Sequence, residues 1–334
     1  MSKSNERINL NPQSTIYKKY DVQRILGTGG MGTVFLATFK NDKNKKVAIK
    51  YLNNIFNETE AKRFEDEAKL LSKVKSKYLP SFYEHHKSSS EEYYVMEYIS
   101  GLTLHDHIRK HTSLSAKKAR SYIMEIAEGI GELHAHGIIH RDIKSQNIII
   151  TNDQKIKILD LGISLTPESQ RLTRENAVIC SPYYAAPEYS IKNHKITKAV
   201  DIYALGVLLF EMLTGTYPYK SEHEHETITL HYKGTFPSAR NFTDIPQALD
   251  NVILKATAKK PADRYQTVFE FKKAVSESLD SSKMFETPLK PGKAKQKKKL
   301  SNIINSNAFL ITMIVIILVI ILAVVLWFTI WGNN

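Results

Sequence analysis

Hydrophobic and polar positions along this chain change their rhythm three times. Short runs rich in β-branched and aromatic residues at 20–26, 33–39, 47–52 and 93–98, parted by glycine or Asn/Asp/Lys turns, predict strands. Between them, residues 59–74 predict a helix: Phe64, Ala68 and Leu71 recur at helical spacing, and Glu67, four positions before Leu71, projects from the same side. Past Gly101 the rhythm turns helical. Ile123, Ile126, Ala127, Ile130 and Leu133 make 115–136 a long amphipathic helix, and 198–214 is apolar all round, as a buried helix is. Further helices are expected over 245–257 and 267–278. The polar residues 1–15 predict a disordered lead.

The third rhythm is an unbroken apolar run, 308–331, without a charged residue. At ~1.5 Å per residue it is long enough for a hydrocarbon core of ~30 Å, so it predicts one transmembrane helix, with Trp327 and Trp331 at the far interface. Just before it stand Lys290, Lys293, Lys295, Lys297, Lys298 and Lys299, six of the +13 net charge, and no Asp or Glu follows Glu286. Positive charge flanking a span marks the cytoplasmic side. Residues 1–307 are therefore expected in the cytoplasm, 281–307 as a basic juxtamembrane linker drawn to anionic lipid, and 332–334 as a short external tail. Because the excess charge gathers beside the span, a membrane surface and not nucleic acid is the expected anionic partner. Cys180 is the only thiol, which excludes an internal disulfide.

Residues 16–280 hold the chemistry. The turn after Leu26, formed by Gly27, Thr28, Gly29, Gly30, Met31 and Gly32, lets backbone N–H groups approach phosphate closely. It is no Walker motif, since GK[ST] is absent, and no Rossmann turn, since a strand follows where a helix would open. VAIK ends at Lys50, HRDIKSQN spans 140–147 with Asp142, Lys144 and Asn147, and DLG opens at Asp160. Four motifs in this order resemble the eukaryotic-like (Hanks-type) serine/threonine protein kinases, most closely their bacterial membrane-anchored branch.

The resemblance implies an α+β, two-lobed fold, a small β-rich lobe and a larger helical one, followed here by the single span. It also implies roles. Lys50 would reach the α and β phosphates of ATP with Glu67 fixing it, Asp142 would align the acceptor hydroxyl, and Lys144 would neutralise charge on the moving phosphoryl. Asn147 and Asp160 would offer oxygen to Mg2+. Val34 and Ala48 would wall the adenine with Ile149 beneath, backbone groups of Glu97 and Ile99 would bond its edge, and Met96 would be the gatekeeper; an ordinary hydrophobic core explains Val34, Ala48 and Ile149 as well. Lys144 favours Ser/Thr hydroxyls of proteins as acceptors.

Within SPYYAAPE (181–188), Glu188 would pair with Arg264, and Asp201 would brace the catalytic loop; both mark protein kinases rather than small-molecule phosphotransferases. Ser164, Thr166, Ser169 and Thr173 are candidate phosphate acceptors, with Arg141 as a partner for a phosphate there. Autophosphorylation in trans within a homodimer is expected of neighbours confined in a membrane. Ser145 stands where proline is common, and Leu161, Cys180 and Ser181 depart from the usual letters. A nucleotide-binding scaffold without turnover therefore stays open as the alternative.

Overall fold

The computed structural model describes residues 10–30, 32–160, 181–191, 194–283 and 285–289. The chain divides into two compact units, Met1–Ala294 and Lys295–Asn334. All of the second unit, and with it the expected span at 308–331, lies outside the described residues, as do Met31 and the loop 161–180. Among the described residues no helix is long and apolar enough to cross a membrane.

The first lobe is a five-stranded antiparallel sheet in the order β1-β2-β3-β5-β4. Its strands are β1 (Tyr20–Thr28), β2 (Gly32–Phe39), β3 (Asp42–Leu52), β4 (Phe82–Lys87) and β5 (Glu92–Glu97), with the short helix α1 (Ile16–Lys19) before them and α2 (Glu58–Lys73) between β3 and β4. Period-two alternation splits the lobe's core. Val47, Ile49, Phe35 and Val95 face one side, under Leu10, Ile16 and Tyr20. Ala48 and Leu52 face the other, where Tyr94, Met96 and Phe64 join the main core. Helix α2 is capped by Asn57, which accepts from Glu60 N, and carries Glu58 and Glu60 in its first turn and Lys73 in its last, as the helix dipole favours.

The first lobe departs from the expectations in several places. The lead 1–15 was expected to be disordered, yet from Leu10 onward it is docked. Leu10 is buried, Ser14 Oγ donates to Glu91 Oε2 (2.6 Å), and Thr15 N and Oγ1 both donate to Glu91 Oε1 (2.8 and 2.7 Å). Strand β4 was not expected, because FYEHHK has no clean alternation; pairing with β5 along Phe82–Lys87 makes it a strand.

The second lobe contains α3 (Leu104–His111), α4 (Ala116–Ala135), α5 (Ala199–Thr214), α6 (Glu224–Lys233), α7 (Gln247–Ala256) and α8 (Val268–Glu277), with a small sheet of β6 (Gly101–Thr103), β7 (Ile148–Thr151) and β8 (Ile156–Ile158). Helix α5 is buried without a break from Val200 to Leu213, which is why it reads as apolar on every face. It approaches α7 closely: a Cβ on Gly206 would lie 2.8 Å from Ala256 Cβ. Gly215 ends α5 in the left-handed conformation, φ 73°, that a C-terminal glycine adopts without strain. Helices α3 and α6 escaped the periodicity because few of their residues are apolar; Leu104 and Ile108 alone anchor α3, which Thr103 caps.

Candidate active site

Strand β3 delivers Lys50 to the inner face of the first lobe, one alternation beyond Ala48, and α2 delivers Glu67 to meet it. Lys50 Nζ lies 2.8 and 3.0 Å from the two Glu67 oxygens and 3.2 Å from Asp160 Oδ1. Burial opposes the Lys50 charge, but the Asp160 and Glu67 carboxylates outweigh it and hold the ammonium well above its ordinary pKa. The same ammonium holds the Asp160 carboxyl below its ordinary range. Tyr94 OH donates to Glu67 Oε1 (3.0 Å). Glu65, on the same helix, is engaged elsewhere, with Lys69 and with Lys87 (2.5 Å).

Asp142, Lys144 and Asn147 form a second cluster in the loop between α4 and β7. Lys144 Nζ lies 2.6 Å from Asp142 Oδ2, and Asn147 Nδ2 donates to that oxygen (2.9 Å) and to the Asp142 carbonyl (3.0 Å). With its nitrogen so committed, Asn147 keeps its amide oxygen for another partner. The loop is braced by Asp201, fully buried at the start of α5, which accepts from His140 N and Arg141 N (2.8 Å each) and contacts His134 Nε2 (2.8 Å). Arg141 and Asp160 hold positive φ, 68° and 45°, conformations that non-glycine residues adopt only when their surroundings enforce them. Burial pushes the pKa of the His140 imidazole down.

The cleft residues follow the same alternation. Ala48 pairs with Met96 across β3 and β5, and Val34 with Lys50 across β2 and β3. Val34 and Leu26 are half-buried against the main core, and Ile149 is half-buried between the fully covered Ile148 and Ile150. Met96 lines a small cavity together with Leu71, Leu79, Tyr94, Ile158 and Asp160. Glu97 commits its N–H to the Ser81 carbonyl (2.8 Å), so of its backbone groups the carbonyl is the one left to consider for an adenine edge. Ile99 is buried just beyond β5.

In the glycine turn, Gly27 and Thr28 pair with Val34 and Thr33, and Gly29 N donates to Gly32 O (2.9 Å). The glycines serve two ends. A Cβ on Gly32 would lie 2.5 Å from the Tyr51 carbonyl, so β3 itself demands that glycine, whereas Cβ atoms on Gly27 and Gly30 would meet nothing within 4 Å. The open side is where a phosphate can approach backbone. Met31 lies outside the described residues.

Oxygen donors from Asn147 and Asp160 fit Mg2+, which is held by one or two protein groups plus phosphate oxygens and waters rather than by an all-protein cage. Sequence reasoning missed Tyr94, which orients Glu67, and Asn53, which accepts from Thr33 Oγ1 (2.9 Å) and donates to the Gly29 carbonyl (3.4 Å). Tyr94 was within reach: it alternates with Met96 on a recognised strand.

Farther out, Glu188 and Arg264 form a buried two-pronged pair, Nη1 to Oε1 2.8 Å and Nη2 to Oε2 2.6 Å. Arg264 also donates to the Ala258 and Ala199 carbonyls (2.8 Å each).

Comparison with known proteins identifies the family. The protein kinase domain family matches residues 20–277, and the chain belongs to that family. It is 35% identical over 271 residues to the serine/threonine-protein kinase PrkC of Bacillus subtilis, covering 80% of this chain and 42% of that protein. It is 33% identical over 294 residues to the probable serine/threonine-protein kinase PknB of Lactococcus lactis, covering 86% and 46%. With the serine/threonine-protein kinase PknH of Mycobacterium tuberculosis it shares 30% over 268 residues, 79% of this chain and 42% of that one. The chain thus spans less than half the length of each of these relatives.

Proposed function

We propose that this chain is a serine/threonine protein kinase that transfers the γ-phosphoryl group of ATP to Ser or Thr hydroxyls of proteins. The observation that carries the reading is the joining of both lobes at Lys50, which binds Glu67 of the first lobe and Asp160 of the second at once. In the reaction, the acceptor oxygen bonds to the γ-phosphorus as the bond to the β-phosphate oxygen breaks, and ADP leaves. Asp142 orients the hydroxyl and takes its proton. Lys144, 2.6 Å from Asp142, offsets negative charge on the moving group, and Lys50 holds the α and β phosphates. Asn147 and Asp160 would hold Mg2+, which would supply neutralisation of phosphate charge. Leu26, Val34, Ala48, Met96, Ile99 and Ile149 enclose the adenine in this reading.

The same reading anchors the chain by the 308–331 run, lays the lysine-rich linker on anionic lipid, and has neighbouring copies phosphorylate one another on the 161–180 loop. Arg141 supports the last point, because its buried Nε has no hydrogen-bond partner among the described residues. Incubation with MgATP followed by acid hydrolysis tests the reading. Phosphoserine or phosphothreonine that disappears with EDTA is expected; absence of both at saturating MgATP points to the scaffold alternative, and phosphotyrosine alone overturns the acceptor class.

A further inference from the structure

Ser145 stands in the catalytic loop where the kinases this chain resembles commonly carry proline, and the structure gives it partners that proline lacks. It is fully buried. Its hydroxyl donates to Glu211 Oε1 (2.9 Å), and its backbone N–H donates to Tyr184 OH (3.2 Å). Tyr184 OH in turn donates to Glu211 Oε2 and lies 3.1 Å from Ser145 Oγ. Each of the two Glu211 oxygens thus receives a hydroxyl, one from the catalytic loop and one from the segment 181–184. Proline at 145 would remove the N–H and the hydroxyl together. Glu211 is buried; its two oxygens take the two hydroxyls, and His105 Nδ1 stands 3.9 Å from Oε1 and 3.5 Å from Ser145 Oγ.

Resting on the kinase reading, in which the 181–184 segment would face the acceptor peptide, we infer that Ser145 is a positioning residue: through Glu211 and Tyr184 it ties the loop bearing Asp142 and Lys144 to that segment. The tie is made of charge-assisted hydrogen bonds across three elements that are 39 and 66 positions apart in the chain. Its loss lets acceptor and catalytic loop drift apart while the ATP side, built on Lys50, Glu67 and Asp160, stays as it is.

The test is Ser145→Ala in the full chain, with a peptide copy of residues 161–180 as acceptor and amide hydrogen exchange of 181–190 read without nucleotide. Expected are a rise of about tenfold in KM for the peptide, the equivalent of one hydrogen bond to a charged group, an unchanged KM for ATP, and faster exchange at 181–190. Tyr184→Phe, which removes the shared hydroxyl and leaves Ser145 in place, is expected to do the same, and it decides the matter where Ser145→Ala does not fold. Equal movement of both KM values, or exchange as slow as in the wild type, overturns the inference. A wild type without turnover whose 181–190 exchange still quickens in both variants refutes the kinase reading and leaves the tie standing.

Discussion

Replacing Glu188 by Gln keeps the shape of the side chain and removes its charge, leaving the Arg264 guanidinium buried without an anion. Both side chains are almost completely covered, 1% and 0% exposed, so water cannot take the carboxylate's place. Stripping one partner from a buried ion pair costs about 3–5 kcal/mol. Against a net folding free energy of about 5–15 kcal/mol that is a large fraction. At roughly 2–4 °C per kcal/mol for a domain of this size, the melting temperature should fall by about 6–20 °C. Far-UV circular dichroism is the suitable probe, because residues 1–326 contain no tryptophan to report by fluorescence. The double variant Glu188→Gln, Arg264→Met should be more stable than the single one, since no lone charge remains. A loss under about 1 kcal/mol in the single variant, or a double variant that is worse, would refute the reasoning.

Other tests follow from the same geometry. His231 is buried with its Nδ1 2.7 Å from Tyr203 OH, and burial pushes its imidazole down to about 3. Above the unfolded pKa of roughly 6.5 both states are neutral; below it the unfolded chain binds a proton that the native state refuses, so stability falls as pH drops, by about 2 kcal/mol at pH 5. Urea midpoints at pH 7 and 5 should show this loss in the wild type and a smaller one in His231→Gln, where the buried His140 still contributes, and parallel curves would contradict it. Gly215→Ala places a Cβ 1.8 Å from the Thr112 carbonyl at φ 73° and should destabilise by about 1–3 kcal/mol; an unchanged melting temperature would count against the close approach. Lys50→Met should reduce phosphate transfer by roughly 100-fold or more, and retained transfer would remove Lys50 from the site.

How far the sequence alone reached can be seen residue by residue. Lys50 and Glu67 were legible because each sits on an element with a strong period, so their faces followed from alternation and from helical spacing. Asp142, Lys144 and Asn147 were legible from local spacing alone. What escaped depends on distant partners. Glu91 holds Ser14 and Thr15 from 76 positions or more away, and Glu211 meets Ser145 from 66 away, so no local pattern announces either. Strand β4 escaped for another reason: as an edge strand carrying Glu84, His85 and His86, it owes its conformation to β5 rather than to its own hydrophobicity.

The most direct test of the central claim compares the initial rate of γ-phosphate transfer to protein by the wild type and by Asp142→Asn, with ATP binding measured on the same samples. The account predicts transfer by the wild type, a loss of roughly 100-fold or more in the variant, and ATP bound equally by both. Equal rates, or a wild type that binds MgATP and transfers nothing, would contradict it.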